Sequence, residues 1–267
     1  MQSKKIEQLL QTDEELFSQI EELLQTAEKF IAEKIDQPTP SLIWSFANKI
    51  GGIKESMKLL FTEGDPYSTR ILARSLLDHY FKLLYFCMRF AIEKTDYVVE
   101  EYLNFCDINE YLEYHQPLNK NDPKEVENQN QAWTLLIERN RQLTDEDRKK
   151  SREISKKFSS KEIIRYLNHV GSEKFLNKPA FAQFVPSYSY LSSFVHGGAF
   201  AEKYYSLLRS EGQDIEEDNF NILFEAVKTS YSAFEMMFTV LIHFDRDYIN
   251  YKKQLTEKTA LLSTIPK

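Results

Sequence analysis

Apolar residues in the first part of the chain recur at intervals of three and four: Ile6, Leu9, Leu10, Phe17, Ile20, Leu23, Leu24, Ala27, Phe30 and Ile31, with acids and lysines between them. That spacing returns to one face at every helical turn and predicts an amphipathic helix over 4–35. Thr12 and Glu15 stand at capping-box spacing, which puts the regular start of the helix near Thr12. Thr39-Pro40 restarts the chain, since proline is tolerated in a first helical turn. A second helix then runs through Trp44 and Phe46 to Phe61, with Gly51-Gly52 at its middle predicting a kink or a close crossing.

Gly64-Asp65-Pro66 punctuates the pattern: Asp65 suits a helix cap and Pro66 a first turn, so a third helix should run to about Ile92. Within it, RILARSLLDHYFKLLYF (70–86) is apolar around most of its circumference, which predicts a central, buried helix. A fourth helix is predicted over 96–114. The stretch 119–131 reads as a surface loop, 133–141 as a helix, and Thr144 with Asp147 as the cap of a charged segment. Ser159 with Glu162 opens KEIIRYLNHV, which Gly171 closes. An irregular aromatic stretch over 175–186, with an extended piece near Phe184 and Val185, precedes helices over 188–196 and 199–208. A last helix is predicted over 215–253. The expected whole is one all-α domain over 1–267, a bundle of seven to nine helices. In it 1–38 is an amino-terminal amphipathic helix and 119–162 a charged, mostly exposed insertion.

Composition agrees with that class. Seven glycines and eight prolines in 267 residues leave little turn chemistry, and 42% hydrophobic content supplies a core. The net charge of −7 argues against a protein that coats nucleic acid over its whole surface. Cys87 and Cys106 lie in apolar stretches and exclude a disulfide framework. The amino terminus turns acidic where a signal peptide needs an apolar run, and the apolar segment 234–244 falls short of the roughly 20 residues that cross a bilayer. A cytoplasmic protein without a membrane segment is the expectation.

Candidate chemistry concentrates in two helices. In the third, Arg70, Arg74, Asp78 and Lys82 are each four apart and form one polar stripe. A buried Arg74–Asp78 ion pair holding helices in register is one reading. The other is an Arg74 guanidinium that faces a cavity and clamps a phosphate or carboxylate, with Asp78 fixing its rotamer. Arg74 and His79 also fit RxxxxH, although five positions separate side chains by about 140° on a regular helix. In the later stretch YSYLSSFVHGG, Tyr188, Ser192 and His196 are spaced one turn apart. His196 sits at a helix end, where carbonyl dipoles favour its protonated form, or where it caps its own helix.

Ser192, His196 and Asp78 have the residue types of a hydrolase triad but no nucleophile elbow. The five histidines are isolated, so no metal site is predicted, and no glycine loop for a nucleotide cofactor is present. The basic run at 148–161, with Arg148, Lys149, Lys150, Arg152, Lys156 and Lys157, reads as a solvated helix face or as a salt-sensitive nucleic-acid patch.

Taken together, the ARSLLD helix and the YxxxSxxxHG helix resemble a bacterial family of all-helical domains of unknown function over roughly 42–241. In that family an Arg precedes an acid by four residues, and a Ser and a His lie one turn apart near the carboxyl end. Here Asp78 stands where Glu is usual, and His79 is not an expected family feature. Some members are similar in layout to HEPN-like toxins. The resemblance therefore implies a HEPN-like or related fold, a metal-independent ribonuclease or nucleotide-processing effector in a defence or toxin context, and a homodimer. Its catalytic candidates are Arg74, Asp78, Ser192 and His196, with Arg70, His79 and Tyr188 as binding candidates. The alternative is a non-enzymatic helical module that binds a partner protein or a small anion through the same cluster. A nucleic-acid adaptor working through 148–161 is a third.

Overall fold

A computed structural model describes residues 4–34, 37–114, 124–139, 143–170, 184–211 and 215–265. Among them there is no strand, as the patterning predicts. The order is α1 (Lys4–Glu33), α2 (Pro38–Thr62), α3 (Pro66–Glu93), α4 (Tyr97–Glu101), a π-helical turn (Tyr102–Cys106), α5 (Asp107–Tyr114), α6 (Lys124–Arg139), α7 (Asp145–Lys157) and α8 (Ser160–Val170). Then follow α9 (Phe184–Val195), α10 (Ala199–Glu211), α11 (Ile215–Phe244), α12 (Tyr248–Thr259) and a 3-10 turn (Ala260–Thr264).

These helices outnumber the seven to nine expected, for local reasons. The predicted fourth helix is divided by the π turn. The predicted last helix breaks after Phe244, where the Asp245 side chain accepts from the Asp247 amide at 2.9 Å and competes with the helical ladder. The charged stretch read as a loop is helical from Lys124 onward, while 119–123 lies outside the described residues. Phe184 and Val185, read as extended, open α9, with Pro186 in its first turn. Gly171 lies outside the described residues.

The expected centrality of α3 holds. It packs on α2, α8, α9 and α11, and Leu76, Phe81, Leu83, Leu84, Tyr85 and Phe86 are buried. Its start is as predicted: the Asp65 side chain accepts from the Ser68 amide at 3.0 Å, with Pro66 at the first position. At Gly51 the α11 ring of Phe234 passes 3.6 Å from where a β-carbon would lie, so the predicted close crossing is α11 on α2. Thr144 and Asp147 form the predicted reciprocal capping box of α7. A second, smaller hydrophobic cluster, Ile108, Leu112, Ala132 and Trp133, joins α5 to α6.

α1 begins well before Thr12, because Ile6 and Leu9 are buried in the core and hold its first turns there. Asp13 is fully buried, where it accepts from Lys54 Nζ at 2.8 and 2.9 Å, from Lys58 Nζ at 2.7 Å and from the Tyr231 hydroxyl at 2.8 Å. Burial alone would raise its pKa, yet the two ammonium groups hold it below the usual carboxylate range. One carboxylate thus ties α1 to α2 and α11.

Candidate functional site

The third and ninth helices meet with their polar stripes face to face. Arg74 donates from Nε to Ser192 Oγ at 2.8 Å and from Nη1 to Asp78 Oδ2. Its guanidinium carbon lies over the Tyr188 ring, 3.3 Å from the centroid. Asp78 Oδ1 accepts from the Tyr188 hydroxyl at 3.0 Å and from Ser160 Oγ at 2.7 Å. Asp78 is therefore the point where α3, α8 and α9 are joined.

The four-residue spacing that puts Arg74 and Asp78 on one stripe of α3 also puts Tyr188 and Ser192 on one stripe of α9, and the two stripes face each other. Ser192 Oγ donates to its own helix, at the Tyr188 carbonyl, 2.8 Å away. Burial and the neighbouring Asp78 push the Tyr188 phenol above its ordinary pKa, so it stays a donor. Among the described residues Arg74 Nη2 makes no hydrogen bond. The Arg74 side chain is 13% exposed and that of Asp78 32%, so the cluster is not sealed.

His196 is exposed, and among the described residues no bond links its ring to Ser192, Arg74 or Asp78; its backbone amide donates to the Ser192 carbonyl, 3.1 Å away. The glycines after it serve the backbone. Gly197 has φ +59, which closes α9 in the left-handed region, and a β-carbon on Gly198 would lie 2.8 Å from Ser193 Oγ. That hydroxyl accepts from the Ala201 amide at 3.0 Å at the start of α10.

Arg74 and His79 do not meet. His79 bonds through Nδ1 to the Ser75 carbonyl at 2.8 Å and packs against Phe46 of α2. Arg70 departs furthest from a binding role: it is fully buried, paired with Asp218 of α11, and bonded to the Pro66 carbonyl at 2.8 Å and the Tyr190 hydroxyl at 3.3 Å. It is a strut between α3, α9 and α11.

The basic run lies along α7, whose Ser151 and Ile154 face inward. Several of its cations are engaged: Arg148 bonds Asn130 at 3.0 Å and lies 5.7 Å from the Trp133 ring, Lys150 pairs with Glu146 at 3.1 Å, and Lys157 with Glu101 at 3.1 Å. Lys149, Arg152 and Lys156 are exposed. Cys106 is buried and Cys87 half-buried, and burial pushes both thiols up to about 12. Among the described residues no group of three or more His, Cys, Asp or Glu side chains is placed to hold a metal ion, and no helix is long and apolar enough to cross a membrane.

Sequence reasoning missed Ser160 and Asp13. Ser160 stood in view as the neighbour of a predicted cap, but its partner is 82 positions away. Asp13 looked like one acid in a solvated series, and only its place on the apolar stripe between Leu9 and Leu16 could have marked it.

No curated protein and no solved structure matches the chain. A family model does match, over residues 41–215. The match begins where the resemblance suggested and ends before the body of α11. It takes in α2 from residue 41 onward and all of α3–α10, and with them Arg74, Asp78, Ser160, Tyr188, Ser192 and His196, while α1 and α12 lie outside it. With roughly two thirds of its length covered in this way, the chain belongs to DUF5677, a family of unknown function.

Proposed function

We propose that this chain is a non-enzymatic helical module that binds an anionic group at Arg74. The observation that supports this most is that the guanidinium is fixed on three sides, by Tyr188 beneath it, Ser192 at Nε and Asp78 at Nη1, while among the described residues Nη2 makes no hydrogen bond. A planar donor held in one rotamer loses little entropy when it receives a carboxylate or phosphate oxygen. Asp78 offsets part of the attraction, so the affinity is modest and rests on the directed donors. Binding is favoured over catalysis because Ser192 spends its proton on the Tyr188 carbonyl and Asp78 already accepts three donors.

Calorimetric titration with pyrophosphate, and separately with a short peptide rich in glutamate, tests this reading and separates a free anion from a carboxylate on a partner. Saturable binding that falls at least tenfold in Arg74→Gln is expected. Undiminished binding in Arg74→Gln, or none by wild type to either probe, overturns it.

A second reading, a metal-independent HEPN-like ribonuclease of defence or toxin type, draws on His196. Its ring is exposed one turn beyond Ser192, where it can exchange protons with a bound phosphodiester. Cleavage of single-stranded RNA by wild type and not by His196→Ala would favour this reading over the first.

A further inference from the structure

The opposite flank of α9 borders a cleft of about 560 Å³ between α3, α9 and α11. The cleft exists because three helices meet there through small residues: Ala73 from α3, Ser187 from α9, and Ala226, Thr229 and Ser232 from α11. Side chains of this size cannot fill the space between diverging helices to the density of a protein interior. The floor is apolar, made by Leu76, Leu77, Leu191 and Ile222.

The polar groups in the cleft are mostly hydroxyls. Tyr80 and Ser232 bond each other at 2.9 Å. Thr229 is only 6% exposed, lines the cleft, and makes no hydrogen bond among the described residues. A mid-helix threonine can turn its hydroxyl to the carbonyl four residues back, as Thr239 does to Glu235 at 2.8 Å. Thr229 does not, so at the wall of the cleft its hydroxyl is unbonded among the described residues.

The charges around the cleft set the class of ligand. Asp218 is neutralised by Arg70. Glu225 and Lys228 are both exposed, opposite in sign, and make no ion pair among the described residues. No net field therefore selects an anion or a cation.

We propose that this cleft is a binding site for an uncharged, apolar-bodied small molecule that carries a hydrogen-bond acceptor such as a carbonyl or ether oxygen. The body lies over Leu76, Leu77, Leu191 and Ile222, and the acceptor meets the Thr229 hydroxyl. The volume falls within the range of about 300 to 1,000 Å³ that such sites have. The site is independent of the anion site, because α9 turns Tyr188 and Ser192 to one side and Ser187, Tyr190 and Leu191 to the other.

Prodan, a neutral naphthalene ketone whose emission shifts to the blue in apolar surroundings, is the probe. Saturable binding of one molecule per chain is expected, with anilinonaphthalene sulfonate, an anionic dye of similar size, binding more weakly. Thr229→Val, which keeps the shape and removes the hydroxyl, should weaken prodan about fivefold, the worth of one hydrogen bond. Ser187→Trp at the exposed lip should abolish binding, and Arg74→Gln should change nothing. Circular dichroism identifies any variant that has not folded, and Ser187→Trp, being at the surface, remains a test if Thr229→Val fails that check. No saturable prodan binding, or binding unchanged in folded Ser187→Trp, overturns the assignment.

Discussion

Arg74 lies flat on Tyr188, and the hydroxyl of that same ring donates to Asp78, the carboxylate that Arg74 pairs with. One aromatic side chain thus supports both members of an ion pair. Tyr188→Phe keeps the ring and removes the bond to Asp78, at a cost of about 1 kcal/mol. Tyr188→Leu removes the platform as well and adds roughly 0.5 to 2 kcal/mol. Urea denaturation of the two variants should rank leucine below phenylalanine. The reverse order would mean that the stacking contributes nothing.

Arg70 and Arg74 differ in burial, and truncation separates them. Arg70→Ala empties a fully buried position and leaves Asp218, itself only partly buried, without its cation, at a cost of about 3 kcal/mol, the low end for breaking a buried pair. Arg74 is partly solvated, with its partner more so, and Arg74→Ala should cost clearly less. Equal losses in chemical denaturation would contradict Arg70's role as the strut and Arg74's availability to a ligand.

The buried ionic cluster on α1 predicts how stability responds to pH. Asp13 has a folded pKa below its unfolded value of about 3.9, so its contribution is present above that value and is lost as pH falls through the folded one. Burial alone would lower Lys58, but Asp13 and Glu55 raise it above its ordinary value, and its contribution fades as pH rises past about 10.5. Denaturation midpoints measured from about pH 2.5 to about pH 7 should fall steeply below about pH 4 in wild type. They should fall less in Asp13→Asn, which is already destabilised at neutral pH. Parallel curves for the two proteins would count against the assignment.

The basic run on α7 is a surface feature. Replacing exposed Lys149 and Lys156 by Gln should change stability by no more than about 0.5 kcal/mol, and should leave pyrophosphate binding at Arg74 within twofold. A tenfold loss of that binding would instead place the phosphate site on α7.

What the sequence made legible was whatever is local in the chain. Periodicity marked α1, α2 and α3, and the Asp65-Pro66 and Thr144/Asp147 caps were readable because a helix start is decided within four residues. The shared stripe of Arg74 with Asp78, and that of Tyr188 with Ser192, followed from helical spacing alone. Their meeting did not, because it depends on how α9 returns to α3 across more than a hundred positions. Asp13 and Asp218 were invisible for the same reason. Each is a surface-type residue that a distant cationic partner ties to another helix, Asp13 fully buried and Asp218 partly so. His196 shows the opposite error: its position one turn after Ser192 made it a catalytic candidate, but the left-handed turn at Gly197 ends the helix and leaves the ring in solvent.

The most direct measurement follows the arginine side-chain signals in a nitrogen–proton correlation spectrum during titration with pyrophosphate. The Arg74 signal, identified by its loss in Arg74→Gln, should shift progressively and saturate, while buried Arg70 stays in place. An Arg74 signal that does not move while the protein binds pyrophosphate elsewhere, or that moves no more than every other arginine, would contradict an anion site at Arg74.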